Sequence, residues 1–369
     1  MKKFDKPYIK NGRFCHDLKH RTAGFFIASV FMMFKSLWLR VSLRKIDIKD
    51  FICDSEFTGD YEQKPAITWI GHATFLIQIG GINILTDPVL GQASLLYRLL
   101  YKRLFKPGVP GHKLPNIDFV LISHNHMDHM DQESLIYLKS HKNIRFLVPK
   151  GNKKWFDKHG FERTNEYCWW DKEVFAIEDS VNSQVNFSFL PASHWSQRGV
   201  FDKNKTLWGS WLIEYKNGSK SSQNNSFKIF FAGDTAYDTH FKEIAQDYPD
   251  INIALMPIGP CEPRKLVAHH HVDAQEALEA FLDLKAEHFM PMHWGTFPLG
   301  AETFDLPIKS LVRCWAGFCN LGLLEDKKLH IPKIGQKVLL SYQESKINHE
   351  ISQVSLESKV NLEKEKEQI

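Results

Sequence analysis

The segment that most restricts this 369-residue chain is Ser123-His124-Asn125-His126-Met127-Asp128-His129, which follows directly on the apolar run Ile117 to Ile122. The run reads as a buried strand, so four metal-competent side chains stand together at a strand end. Buried without partners, such imidazole and carboxylate groups would cost about several kcal/mol. Neutral imidazole and ionised carboxylate are good ligands for Zn²⁺ and related ions. One ion cannot readily take all four from so short a loop, and the spacing suggests that alternate residues face two ions. A solvated polar loop is the competing reading.

Three later segments repeat the design. The strand-like run Val185 to Leu190 leads to His194, Phe227 to Phe231 leads to Asp234, and His288 to Met292 leads to His293. Each places a ligand-capable side chain just past a strand end, where α/β sheets build their sites. With the first loop they supply five His and two Asp, enough for two ions with open positions. Runs at 67–70, 75–79, 82–85, 144–148, 207–215 and 251–256 also read as strands. Gly80-Gly81 is a hairpin turn, and Ala274 to Leu284 is the clearest helix. Strands with interspersed helices predict a mixed α/β body of stacked layers. The polar stretch 216–226 reads as a hairpin loop, and no internal repeat is visible.

The pattern His124, His126, Asp128, His129 resembles the HxHxDH signature of the metallo-β-lactamase fold superfamily. The resemblance implies an αββα four-layer sandwich with a dinuclear site at the sheet edge. It implies that His124, His126 and His194 hold one metal, that Asp128, His129 and His293 hold the other, and that Asp234 bridges them. Class B β-lactamases carry Cys at the bridging position, which disfavours antibiotic hydrolysis. Over residues 60–310 a longer ordered set is similar to the N-acyl-phosphatidylethanolamine-hydrolysing phospholipase D family. It comprises WIGHAT from Trp69, LTDP from Leu85, LWGSW from Leu207, FAGDT from Phe231, PIG from Pro257, EPR from Glu262, HVD from His271 and HWGTF from His293. Cys261 departs from the aromatic residue usual before Glu-Pro-Arg. The implied reaction is hydrolysis of a phosphodiester lipid to phosphatidic acid and an N-acylethanolamine. Two divalent ions would lower the pKa of a shared water and offset charge building up at phosphorus. The donor set favours zinc, with manganese or iron able to occupy it.

Further candidates surround this set. Arg264 could pair with phosphate as a bidentate donor, or with a carboxylate such as Glu262. The family match singles out His271 from the run His269-His270-His271, to protonate the leaving oxygen or orient substrate. Asp128 is a catalytic candidate as well as a ligand. His72, Asp87 and Asp131 could orient ligand imidazoles through hydrogen bonds.

Charge is uneven. The chain has 47 Lys and Arg against 43 Asp and Glu, a net +4, yet residues 1–50 alone hold twelve basic and four acidic side chains. A basic end on a near-neutral body does not describe a nucleic-acid binder. Ala23 to Phe34 is apolar but too short to span a bilayer, which needs about 20 residues. No small-x-small cleavage site follows it, so neither a span nor a leader is expected. It reads as a helix docked either on its own domain or in a membrane interface. Across Ser94 to Phe105, Leu96, Leu100 and Leu104 oppose Arg98, Lys102 and Lys106 on a helical wheel. That segment either covers the sandwich or presents the three cations to anionic head groups. Six scattered Cys without a CxxC pair suit a reducing compartment. The resulting expectation is a basic extension over 1–60, a hydrolase domain over 61–343 and a charged mobile tail over 344–369. The protein is expected to be cytoplasmic and peripherally membrane-associated, with a phospholipid substrate, no nucleic-acid partner and, by the family resemblance, a homodimeric state. The competing readings are a soluble metallohydrolase of the same fold, cleaving a lactone, thioester or nucleotide diester, and a non-catalytic metal-binding protein.

Overall fold

The computed structural model describes residues 4–15, 51–53, 57, 64–92, 101–177, 182–218 and 226–341. The apolar run at 23–34, Arg98 and the tail from 344 lie outside the described residues. A short hairpin, β1 (Tyr8–Lys10) and β2 (Arg13–Cys15), precedes two seven-stranded sheets. The first sheet begins as an antiparallel meander of β3 (Ala66–Gly71), β4 (Thr74–Ile79) and β5 (Ile82–Thr86). It continues in parallel through β6 (Phe119–Leu121), β7 (Arg145–Pro149) and β8 (Thr164–Tyr167). The second sheet repeats this plan. β9 (Lys172–Ala176), β10 (Gln184–Leu190), β11 (Ser210–Lys216) and β12 (Ser226–Phe231) pair antiparallel, and β13 (Ile253–Pro257), β14 (His288–Met292) and β15 (Lys328–Leu329) add in parallel. β16 (Lys337–Leu339) returns to pair with β3.

Period-two alternation sorts the first sheet's side chains. Ile67, Trp69, Phe75, Ile77, Ile84, Phe119, Leu121 and Leu147 join the large core shared with the second sheet. Leu76, Leu85, Val120, Phe146 and Val148 face a separate core. That outer core is closed by Leu135 and Leu138 of α1 (Gln132–Leu138) and Phe156 of α2 (Lys153–Lys158). Across the second sheet lie α3 (His240–Asp247), the short α4 (Arg264–Val267), α5 (Ala274–Leu284) and α6 (Leu306–Asn320). Helix α5 begins where Asp273 accepts the Glu276 N–H, and ends at Lys285, which is left-handed at φ 56°. Ala274, Ala277, Leu278, Phe281 and Leu284 form its buried stripe. The layers are therefore helix, sheet, sheet and helix.

Two sequence expectations change here. Residues 4–15, assigned to the extension, pack on the body: Phe4 is fully buried, its N–H donates to Glu243 Oε2, and its carbonyl accepts from Trp170 Nε1. Residues 101–106 are not helical. Arg103 is buried and donates to the carbonyls of Phe105, Val89 and Gly91, while Leu104 N–H donates to Thr296 O. Those tertiary bonds replace the helical ladder, and Leu104 packs on the core while Lys102 and Lys106 stay exposed. Among the described residues no helix is long and apolar enough to cross a membrane.

Candidate metal centre

Strand direction builds the site. β5, β6, β10, β12 and β14 end at one edge of the sandwich, and Asp87, the 124–129 loop, His194, Asp234 and His293 follow those ends. His72 joins them from the β3–β4 turn. His72, Asp87 and His293 are left-handed, at φ 54°, 32° and 60°. That backbone region is unfavourable for side chains other than Gly, Asn and Asp. The His293 N–H donates to His72 O, and Trp69 stacks on Trp294 at 5.2 Å, fixing both turns.

Two triads emerge. His126 Nδ1 lies 2.8 Å from His124 Nε2 and 3.3 Å from His194 Nε2. His129 Nε2 lies 3.2 Å from His293 Nε2 and 3.6 Å from Asp128 Oδ2. Asp234 reaches both: Oδ2 is 3.8 Å from His124 Nε2, 3.7 Å from His194 Nε2 and 3.3 Å from His129 Nε2, and Oδ1 is 3.1 Å from His293 Nε2. Ligand atoms about 3.3 Å apart are what a tetrahedral ion with bonds of about 2.0–2.1 Å would gather.

Hydrogen bonds on the far side of the rings set their tautomers. His129 Nδ1 is 2.7 Å from Asp87 Oδ2, a carboxylate oxygen that only accepts, so Nδ1 carries the proton. Ser123 Oγ donates to the same oxygen at 2.5 Å, leaving its lone pair for His124 Nδ1–H at 2.9 Å. His194 Nδ1–H donates to His270 O at 2.9 Å. The Nε2 atoms of His124, His129 and His194 therefore face the shared cavity, and each offers it a lone pair when its ring is neutral. Asp234 Oδ1 is also buried without a hydrogen-bond donor. Converging lone pairs and carboxylates are repulsive alone and complementary to divalent cations, so the residues fit a two-metal centre.

Without a cation, a proton takes its place beside the carboxylates. Burial opposes charge on His129, yet Asp234 and Asp128 hold its pKa well above the ordinary histidine value. Burial also opposes ionisation of Asp234, yet His129 and His293 hold it well below the usual carboxylate range. Burial and neighbouring His129 push His124 down, and His194 falls chiefly through burial. His72 is pushed down to about 3 by burial and by His293, and its Nε2 contacts Asp128 Oδ2 at 3.0 Å. That contact places His72 within a four-residue group with Asp128, His129 and His293.

The other candidates separate. His271 faces the cavity, with Nδ1 3.8 Å from Asp234 Oδ2, and burial pushes its pKa down to about 3. Asp131 does not orient an imidazole; its Oδ2 accepts from Ser134 N and Oγ and caps α1. Arg264 does not leave its fork open for phosphate. Nη1 donates to His271 O at 2.7 Å, Nε lies 3.3 Å from Asp273 Oδ2, and Nη2 bonds Glu276. Its expected partner Glu262 meets it through the backbone instead, with Oε2 accepting the Arg264 N–H at 3.3 Å. Sequence reasoning missed Ser123, the relay between Asp87 and His124, and Trp195, whose ring lies 4.4 Å from that of His126. It also missed Tyr101, whose pKa is raised by burial and by the charge of Asp128.

The Beta-lactamase superfamily domain matches residues 82–294, more than half of the chain. With this fold and this centre, the molecule is a metal-dependent hydrolase. The chain belongs to the metallo-β-lactamase superfamily and, within it, to the family resembling N-acyl-phosphatidylethanolamine-hydrolysing phospholipase D. It is 29% identical over 319 residues to N-acyl-phosphatidylethanolamine-hydrolyzing phospholipase D 1 of Caenorhabditis elegans, covering 82% of this chain and 86% of that protein. It is 32% identical over 256 residues to the mitochondrial enzyme of that description from Saccharomyces cerevisiae, covering 68% of this chain but 52% of the relative. The solved structure of Igni18, a metallo hydrolase from Ignicoccus hospitalis, aligns with TM-score 0.54 at 22% identity over 76% of this chain and all of that one. CmlA of Streptomyces venezuelae, a diiron β-hydroxylase, aligns with TM-score 0.50 at 19% identity over 76% of this chain and 55% of that one. Both structural likenesses concern the fold alone.

Proposed function

We propose that this protein hydrolyses the phosphodiester of N-acyl-phosphatidylethanolamine-type lipids, releasing phosphatidic acid and an N-acylethanolamine, with zinc as its metal. The observation that carries the reading is Asp234 reaching both triads at 3.1–3.8 Å. When bound, two ions acidify a water and neutralise phosphate oxygens. The residues around them hold that chemistry in place. Asp87 and Ser123 keep one imidazole of each triad in its ligating tautomer. His271, beside the centre, is available to hydrogen-bond the substrate's reacting oxygens, and Arg264 fixes the backbone carbonyl of His271 from behind. The ordered motif set and the two phospholipase D relatives support the choice of substrate.

The reaction is proposed to occur on a membrane surface, with Arg98, Lys102 and Lys106 near anionic head groups and the protein as a homodimer. The test is phosphatidic acid release from N-acyl-phosphatidylethanolamine vesicles. Release should stop with chelator, return with zinc, and fall at least about 10³-fold in Asp128→Asn, the scale of losing essential catalytic machinery. No release by the metal-loaded protein rejects the lipid substrate. Liposome co-sedimentation after changing the three cations to Glu tests the contact, and sedimentation velocity tests the dimer.

A further inference from the structure

We infer that the Val200–Phe201 loop is a membrane-insertion tip that docks the site's mouth on an anionic phospholipid surface; this rests on the reading that the substrate is a membrane lipid. Val200 and Phe201 are 80% and 81% exposed, the highest values among the large apolar side chains described as exposed. An isolated exposed apolar residue needs no explanation, but two on an internally braced tip do.

The bracing is specific. At the neck, Asn204 N–H donates to Ser196 O at 2.7 Å and Ser196 N–H to Asn204 Oδ1 at 3.1 Å. Inside the loop, Asp202 accepts the N–H groups of Arg198 and Gly199. Gln197 Nε2 donates to the carbonyls of Gly199 and Val200, and Arg13 donates to those of Phe201 and Lys203. The tip backbone is therefore held, while its two apolar side chains remain in water. Such preorganisation reduces the ordering entropy left to lose on binding.

Position and charge select the occupant. The loop leaves the metal centre directly, at ligand His194 and at Trp195, whose ring packs on His126. Lys203 Nζ lies 5.1 Å over the Trp195 ring, and Arg13 braces the tip from the β1–β2 hairpin, which exposes Ile9 at 64%. Behind that hairpin a groove of about 790 Å³ is lined by Lys6, Lys150, Lys153, Lys154 and Lys205. Of its three acids, Glu166 and Asp157 pair with Lys150 and Lys153, at 3.6 and 3.0 Å, and Asp171 accepts the Cys168 N–H. An apolar prow beside clustered cations suits insertion at the head-group boundary of an anionic bilayer.

The test is co-sedimentation of the metal-loaded full chain with phosphatidylcholine vesicles, with and without 30 mol% phosphatidylglycerol (roughly the anionic range that polybasic segments sense). V200S/F201S should lower partitioning at least about tenfold, and Phe201→Ser alone by about half that factor. L321S/L323S, which removes exposed leucines elsewhere, should leave binding unchanged. Omitting phosphatidylglycerol should weaken wild-type binding by about fivefold or more, the scale of one lysine near the surface. Wild-type binding by both loop variants, or equal loss in the leucine control, overturns the inference. So does a wild-type dimer in the absence of vesicles that V200S/F201S dissociates, because the tip's partner would then be a second copy. Vesicle binding without phosphodiester hydrolysis rejects the proposed reaction alone; hydrolysis with binding untouched by the loop variants rejects this inference alone.

Discussion

Asp87→Asn should disable the metal centre while leaving its shape. Asp87 is fully buried and takes three donors: Ser123 N–H at 2.7 Å on Oδ1, and Ser123 Oγ–H and His129 Nδ1–H on Oδ2. Asn fits the volume and tolerates the left-handed backbone at φ 32°. It replaces one acceptor with an NH₂ donor, and both orientations fail. With NH₂ at the Oδ2 position, His129 must accept at Nδ1, so its remaining proton moves to Nε2 and points into the ligand cavity. The relay through Ser123 to His124 loses its acceptor too. Losing such an orienting partner costs roughly 10- to 100-fold in metal affinity, about 1.4–2.7 kcal/mol. With NH₂ at the Oδ1 position, a buried donor faces Ser123 N–H, costing about 1–3 kcal/mol of stability. Zinc titration against a chromophoric chelator, with bound metal counted by elemental analysis, measures the first outcome. Thermal melts of the metal-free protein measure the second. Wild-type affinity for two ions together with an unchanged melt would refute the tautomer argument.

Other perturbations follow from the same geometry. Gly233→Ala should abolish metal loading, because a Cβ there would lie 2.6 Å from Ser123 Cβ on a backbone at φ 60°; metal content of the folded fraction checks it. Arg264→Met should lower kcat/KM by roughly 10- to 100-fold with two ions still bound, through misplacement of His271; loss of metal would refute that positioning role. Chelation should lower the melting temperature by several degrees, since a ligand at 1,000 times its Kd stabilises by about 4 kcal/mol. His288 and His330, stacked with ring nitrogens 2.7 Å apart, are pushed down to about 3 and about 4, chiefly by burial. Folded pKa values below the unfolded value mean the unfolded chain takes up protons first. Their stabilisation is present above pH about 6.5 and is lost as pH falls toward 4. In metal-free protein, wild type should lose about 1–2 kcal/mol more than His330→Gln between pH 7.5 and 5 in urea melts.

What the sequence exposes is ligands standing just beyond apolar strands, because strand ends and ligand chemistry are both local. Contacts across the fold leave no such trace. Arg264 looks like a phosphate clamp until Asp273 and Glu276 close on it across the turn into α5. Leu96, Leu100 and Leu104 spell a helical stripe, yet over the described part of that segment Arg103 collects carbonyls from Val89 and Gly91 instead. β9 is hard to see because it is an edge strand that alternates exposed and half-buried side chains, with Lys172 and Glu173 among them. The hairpin at 8–15 was hidden in a charge-rich stretch, although Phe4 and Phe14 join the main core.

Asp87 was legible as an orienting carboxylate, but its relay through Ser123 to His124 was not, and one register explains why. Asp87 and Ser123 lie far apart in sequence, and neither belongs to the HxHxDH pattern. β5 runs parallel to β6 with Thr86 opposite Leu121. That register lets Asp87 N–H donate to Leu121 O, and the carboxylate then meets Ser123 two residues on. A one-residue slip would turn Asp87 to the other face of the sheet and leave both His124 and His129 without their fixed protons. The strand pairing that closes the core thus also decides which imidazole nitrogens face the metal cavity. Core substitutions that loosen the β5–β6 pair, such as Leu121→Ala, should therefore weaken zinc binding even though the Leu121 side chain belongs to the apolar core.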